Sequence, residues 1–385
     1  MSRALYAPDR IKRPLLRTGP RGSGQFQEIP WSQALDYVAG RLSDIKIKYG
    51  NEALLRLGGT GSIRAALHNT KSLALRFLNT FGGHTEMTGS YSIGAVSFAA
   101  PFVLGASPAG IDPTTLQYTN LIVLWGANIV DTRMGCDTEA YIREARSRGV
   151  DVIVIDPRRS RTVNRLSTQW IPVYPGTDTA LMMAVLYVLL EEDLVDRPFL
   201  QKHSGGVDEL EQYVLGNTDA EAKTPEWAEA ICGTPALTIV QFARQYGRTH
   251  PTALIPGWSI QRTLGGEEAS RMAIALQAAT GNMGVLGGSS GSPLWNRLTP
   301  ARAGRIDWPS NPVQASVPQY CWPDVILEGK RGGYPADIKA IYNVGGNWLV
   351  QGSDVKKNMR AFAQVDFAVC HDYVLTPTAR HCDVV

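Results

Sequence analysis

The chain has 385 residues, 44% of them hydrophobic and 19% charged, with a net charge of +3. This is the composition of a globular protein large enough for more than one domain. With no long basic run there is no footprint for counterion-release binding to nucleic acid, and no stretch is apolar for long enough to span a bilayer. The five cysteines, Cys136, Cys232, Cys321, Cys370 and Cys382, are too scattered for a zinc knuckle or iron–sulfur spacing, and an odd set makes no disulfide framework.

Residues 1–30, rich in Arg, Pro and Gly, read as an extended surface arm, and Met1-Ser2-Arg3-Ala4 carries no apolar signal region. Ser32 is the expected cap of a helix built on Leu35, Val38, Leu42 and Ile45, with Gly50 as its stop. Ala53 to Leu57 is a short strand, and Gly58-Gly59-Thr60-Gly61-Ser62 leads from it into a helix from Arg64 to Phe81, ended by Gly82-Gly83. A strand, a glycine turn and a helix can present backbone N–H groups to an anion. This turn has neither a full dinucleotide fingerprint nor a Walker lysine, so a plain tight turn is the preferred reading of it in isolation.

The stretch Thr88 to Gly105 is a polar turn running into small apolar residues. Ser92 sits where its hydroxyl can point out of the turn, and Gly94 and Ala95 leave room for a bulky group near the backbone. A helix N-cap is the alternative role for Ser92.

Asn120 to Leu124 is a near-continuous apolar run, the pattern of a strand buried on both faces of a parallel sheet, and it breaks at Trp125-Gly126-Ala127-Asn128. A helix from Thr138 to Arg148 returns to a strand, Val150 to Ile155, that ends in Asp156-Pro157-Arg158. A third strand, Gln169 to Val173, ends in Pro175-Gly176-Thr177-Asp178 before a helix to Glu192. In open α/β sheets ligands sit beyond the carboxyl ends of strands. There Asn128 can donate and accept at a nucleotide or pterin edge, or simply form a turn. Asp156 and Asp178 can take paired N–H donors, and Asp178 can equally cap its helix. Arg158 suits phosphate oxygens, or is a solvated strand-end charge.

Residues 194–247 are mostly helical, with Thr224-Pro225 and Thr234-Pro235 as helix starts carrying Pro at the first position. Thr252 to Ile255 is a strand ending in Pro256-Gly257-Trp258-Ser259-Ile260-Gln261-Arg262, followed by a helix from Glu267 to Thr280. Ser289 to Pro323, rich in Gly, Pro, Ser, Asn and Trp, reads as a long loop, either functional or disordered. Ile338 to Tyr342 and Phe367 to Cys370 are strands, tipped by Gly345-Gly346-Asn347 and His371-Asp372.

Tyr91-Ser92-x-Gly94-Ala95, Trp125-Gly126-Ala127-Asn128, Ile155-Asp156-Pro157-Arg158 and Pro175-Gly176-Thr177-Asp178, in this order, resemble the molybdopterin oxidoreductases. Within them the resemblance is to the catalytic subunits of membrane-associated dimethyl sulfoxide reductases. In that branch the Ser of an Asp-Tyr-Ser-Thr-Gly motif ligates molybdenum. Here the stretch reads Ser90-Tyr91-Ser92-Ile93-Gly94, with Ser90 for Asp and Ile93 for Thr, so Ser92 inherits the metal-ligand role.

The resemblance implies molybdenum held by two molybdopterin guanine dinucleotides. Trp125, Asn128, Asp156, Arg158 and Asp178 would lie near one nucleotide, Gly257, Trp258 and Gln261 near the pterins, and Gly346, Asn347 and Asp372 at the other nucleotide. It further implies oxygen-atom transfer from a small S-oxide or N-oxide in anaerobic respiration. An iron–sulfur electron-transfer subunit and a membrane anchor subunit would be partners. Soluble relatives place a Tyr in the first glycine turn; Gly59-Thr60-Gly61-Ser62 has none, which leaves the proton donor unidentified.

The opening Tyr6 to Pro14 resembles the segment that follows the family's iron–sulfur domain, and Val384-Val385 closes inside a strand-like run. The expectation is therefore an internal piece of a longer protein, periplasmic or membrane-associated through partners, with its twin-arginine signal and iron–sulfur cluster upstream, lacking a C-terminal domain and inactive alone. The expected fold is α/β. It has two αβα dinucleotide-binding-like domains with mainly parallel sheets: a discontinuous one, 31–145 plus 335–385, and an inserted one, 146–334. The alternatives are a scaffold of this family without metal, and a nicotinamide-dependent dehydrogenase, which the missing glycine fingerprint disfavours.

Overall fold

A computed structural model of the chain describes residues 5–58, 69–106, 109–133, 137–293 and 306–385. Its strands, in chain order among the described residues, are β1 (Leu15–Arg17), β2 (Phe26–Glu28), β3 (Leu54–Gly58), β4 (Glu86–Thr88), β5 (Leu121–Trp125), β6 (Asp151–Ile155), β7 (Gln169–Ile171), β8 (Thr252–Pro256), β9 (Ser316–Pro318), β10 (Ala340–Val344) and β11 (Phe367–His371). The chain divides into two compact units, residues 91–300 and residues 1–90 with 301–385.

The 91–300 unit holds an all-parallel sheet in the order β7-β6-β5-β8. Alternate residues of a strand point to opposite faces, and here both faces are covered. Leu121, Val123 and Trp125 of β5 join Ile153, Ile155 and Leu254 in one core, while Ile122 and Leu124 join Val152, Val154, Ala253 and Ile255 in the other. That is why β5 reads as an unbroken apolar run. The helix Asp178–Glu191 lies in the first core and is apolar around its circumference, as a fully enclosed helix must be.

The other unit is built on a parallel sheet in the order β11-β10-β3, with Ala340 level with both Leu54 and Phe367. β1 and β2 form an antiparallel hairpin, and β4 pairs with β9. The hairpin segment is tied to the sheet through Asp383. Its carboxylate accepts from Arg17 Nε at 3.0 Å, Arg21 Nη2 at 2.6 Å and the Ala368 N–H at 2.8 Å.

The α/β class with mainly parallel sheets is as expected; the boundaries are not. β5 pairs with β6 and β8, so residues 91–145 belong with the inserted segment. β9 pairs with β4, so residues 301–334 belong with the discontinuous one. Strand pairing, which a linear reading does not contain, decides both.

Local expectations also change. Residues 15–28 form a hairpin rather than a featureless arm. Ser32 lies inside the helix Trp31–Tyr49, which starts after Pro30 without a side-chain cap, and Leu35 is exposed. The 234–235 start has Pro235 in the cap position, with Glu229 Oε2 accepting from the Ala236 N–H at 2.9 Å. The long loop contains β9 and the first turns of the helix Trp322–Glu328. The glycine turn Gly59-Thr60-Gly61-Ser62 and the expected helix start at Arg64 lie outside the described residues; the helix is seen from Thr70 to Phe81.

Removing one partner of a buried charge cluster leaves the others uncompensated, at about 3–5 kcal/mol. Asp383→Ala is therefore expected to destabilise this unit by about 3 kcal/mol, read as faster amide exchange at Ala368 to Cys370 with the β5–β8 sheet unaffected.

Candidate active site and cofactor cleft

In the four-stranded sheet the chain leaves β5 for β6 and β7 on one side and reaches β8 on the other. The carboxyl ends of β5 and β8 therefore flank a topological switch point, where open α/β sheets bind ligands. A cleft of about 380 Å³ opens there, within the usual range for small-molecule sites. Its walls are the segments that leave the strands: Gly126 to Ile129 after β5, Asp156 to Arg158 after β6, and Pro256 to Ser259 after β8, with Thr132 and Arg262.

Asn128, Asp156, Arg158, Gly257 and Trp258, all expected at a cofactor, are thus brought together. The Asp156 carboxyl is 5% exposed, and its Oδ1 accepts the Arg158 N–H at 2.8 Å. Burial raises its pKa, with that hydrogen bond and the Arg158 charge opposing. Asn128 has both ends of its amide engaged: Nδ2 donates to Asp131 Oδ2 at 2.9 Å and Oδ1 accepts from Thr162 Oγ1 at 2.6 Å. Its side chain shapes the cleft wall. Gly257 permits the closest approach. A Cβ there would fall on the Gly126 carbonyl oxygen, and the Gly257 N–H donates to the Trp125 carbonyl at 2.7 Å.

Trp125 and Asp178 lie behind the cleft rather than on its wall. Trp125 is fully buried, and its Nε1–H donates to Asp178 Oδ1 at 2.9 Å. Thr177 holds the cap position of the following helix, so Asp178 is its first residue and not its cap. Burial raises the Asp178 pKa, the Trp125 hydrogen bond opposes this, and the Asp156 charge adds to it.

Ser92 lies in a turn, and Ile93 takes the cap position of the helix Gly94–Leu104 without a side-chain cap. The Ser92 carbonyl accepts from Gln261 Nε2, and Gln261 Oε1 accepts the Val96 N–H at 3.0 Å. Gln261 is thus directed at the Ser92 turn and is absent from the cleft wall.

Gly346, Asn347 and Asp372 lie in the other unit, just beyond the ends of β10 and β11. Asn347 Oδ1 accepts from the Thr378 N–H at 3.2 Å and from Thr378 Oγ1 at 2.8 Å. Asp372 accepts from the Tyr373 N–H at 2.8 Å and from Thr376 Oγ1 at 3.1 Å. These two side chains brace their own loops. Beneath them Asn343 donates to the Gly346 carbonyl at 2.9 Å and leaves a buried Oδ1 without a partner.

Sequence reasoning missed Ser259, Arg262, Thr132 and Thr162. The first two stand in the segment already singled out after β8. Nothing marked Thr132 or Thr162: Thr132 reaches the cleft one helical turn after Asn128, and Thr162 only through packing across 34 positions.

The residues suit a phosphorylated nucleotide. A buried carboxylate can take N–H donors of a base, the exposed guanidinium groups of Arg158 and Arg262 can fork on phosphate oxygens, and Gly257 lets the segments leaving β5 and β8 pack together as one wall. A sequence model of the family described as molybdopterin oxidoreductase matches residues 10–385. The chain belongs to the molybdopterin oxidoreductase family.

It is 34% identical to the dimethyl sulfoxide reductase DmsA of Haemophilus influenzae, over all of this chain and 52% of that protein, and 34% identical to DmsA of Escherichia coli, over all of this chain and 51% of that protein. The chain spans about half the length of these curated relatives. Among solved structures, acetylene hydratase from Pelobacter acetylenicus shares the fold, with a TM-score of 0.75 at 21% identity over all of this chain and 55% of that one. The resemblance drawn from the motifs is borne out at the level of the family, which implies molybdenum and a molybdopterin cofactor.

A carboxyl group whose folded pKa is raised stabilises the fold below its ordinary value and loses that contribution as pH rises through the raised value. For the chain without cofactor, the contribution of Asp178 to stability should therefore fall as pH climbs above 3.8, the ordinary Asp value. Asp178→Asn keeps an acceptor for Trp125 and removes the buried charge. It is expected to raise Tm at pH 7 and flatten the Tm–pH curve above that value, while weakening nucleotide retention.

Proposed function

We propose that this chain is the core of a catalytic subunit that reduces a small S-oxide or N-oxide at a molybdenum centre held by two molybdopterin guanine dinucleotides. The observation that most supports this is the family match over residues 10–385 together with a Ser, not a Cys, in the turn of residues 91–93. When bound, the cofactor would supply the two-electron redox centre for oxygen-atom transfer.

In this reading the protein's own work is binding and orientation. Asp156 accepts N–H groups of one guanine, with Asp178 and Trp125 as a buried brace behind it. Arg158 and Arg262 neutralise the pyrophosphate. Gly257 lets the segments leaving β5 and β8 close up as one wall, and Trp258 covers the ligand. Gly346, Asn347 and Asp372, with the unpartnered Asn343 Oδ1 beneath, are assigned to the second dinucleotide. Ser92 would be the side chain that holds the metal.

Delivery of electrons by an iron–sulfur cluster and an iron–sulfur subunit, attachment to a membrane anchor subunit and export to the periplasm are parts of the same proposal, drawn from the resemblance. Among the described residues no helix is long and apolar enough to cross a membrane.

The test is molybdenum by elemental analysis and guanosine monophosphate released by acid, on the full protein and its Ser92→Ala form. About two nucleotides per metal in the parent, with sulfoxide reduction lost in the variant, is the expected result. Correctly matured protein with neither metal nor nucleotide overturns the proposal in favour of a scaffold without metal.

A further inference from the structure

The helix Gly94–Leu104 begins after Ile93, which supplies no side-chain cap. The first four N–H groups of any helix lack an internal partner. Here the internal ladder opens at the Ser97 N–H, which donates to the Ile93 carbonyl at 2.9 Å, and Ile93 has no side-chain acceptor. The Val96 N–H is instead met by Gln261 Oε1 at 3.0 Å, from a loop 165 positions away in sequence. The same amide sends its Nε2–H to the Ser92 carbonyl. One planar group therefore holds both sides of the turn that carries Ser92.

The loop behind Gln261 is itself fixed. The Gly257 N–H is bound to the Trp125 carbonyl at 2.7 Å, Ser259 Oγ donates to the Gly126 carbonyl at 2.8 Å, and the Arg262 N–H donates to the Ser259 carbonyl at 3.0 Å. A Cβ on Gly266 would fall on the backbone carbonyl of Gln261. Gln261 is 5% exposed, so water does not compete for its amide. Gly257, Trp258, Ser259 and Arg262 of this loop also line the cleft.

We propose that Gln261 is a positioning residue: it fixes the orientation of the Ser92 turn and ties it to the loop that walls the cofactor cleft. The functional part rests on the reading of Ser92 as metal ligand. Only an amide fits the geometry, because the turn asks for one acceptor and one donor on the same group. A carboxylate keeps the acceptor for Val96, suits the positive end of a helix, and loses the donor to Ser92. Gln261→Glu thus separates the clamp on Ser92 from the helix cap, and Gln261→Met removes both at similar volume.

The experiment is hydrogen exchange by mass spectrometry on the full chain prepared with and without molybdopterin, together with the electron paramagnetic resonance line of Mo(V) in the loaded protein. Gln261→Glu is expected to speed exchange of peptides spanning 90–95 by about tenfold, leaving 96–104 and the β5–β8 sheet at parental rates. Gln261→Met is expected to speed exchange across 90–104. In the loaded Gln261→Glu protein the Mo(V) line should broaden or split, with metal content kept and kcat lowered more than KM.

Parental exchange at 90–95 in both variants overturns the clamp. Faster exchange with an unchanged Mo(V) line overturns its role in orienting Ser92. A parent chain that holds no molybdenum overturns the functional part and the reading it rests on, while the exchange of the cofactor-free chain still decides whether the clamp exists.

Discussion

The carboxyl end of β5 is the constraint on which the site depends. The strand is enclosed on both faces, so its last residues cannot move without opening two cores. From that fixed end three bonds radiate. The Trp125 indole holds Asp178, the Trp125 carbonyl holds the Gly257 N–H, and the Gly126 carbonyl holds Ser259 Oγ. Through the Gly257–Gly266 loop the constraint reaches Gln261 and so the Ser92 turn. A ligand entering the cleft meets walls already set by the core.

The electrostatics of this end are arranged for a ligand rather than for stability. Asp156 and Asp178 are both buried, burial raises both pKa values, and the Asp156 charge adds to the difficulty of ionising Asp178. Without a partner the pair weakens the fold above the ordinary carboxylate range. N–H donors of a base, and cations beside its phosphates, reverse the sign. Local destabilisation that binding relieves is the expected signature of a binding site.

The smaller sheet shows the same theme with different wiring. Glycine and polar residues follow β10 and β11, but Asn347 and Asp372 are engaged with Thr378, Tyr373 and Thr376. What is left open there is the buried Asn343 Oδ1. Asn343 stands inside a strand, where a sequence reading treats it as a mere interruption of the apolar run.

Much was determined by the sequence alone. Apolar runs of strand length closed by polar or glycine breaks fit strands covered on both faces, so the α/β class, the parallel strands and the Asp156 and Gly257 tips were legible. The ordered motifs carried the family, because several short strings in one order constrain far more than any one of them. The tertiary structure decided which strands pair, and therefore where the two units divide. It moved Trp125 and Asp178 behind the cleft, engaged Asn128 with Thr162 and Asp131, and turned Gln261 to the Ser92 turn. Trp125–Asp178, Asn128–Thr162 and Gln261–Ser92 join residues 53, 34 and 169 positions apart, and a hydrogen bond between distant segments leaves no periodicity or spacing in the chain to be read.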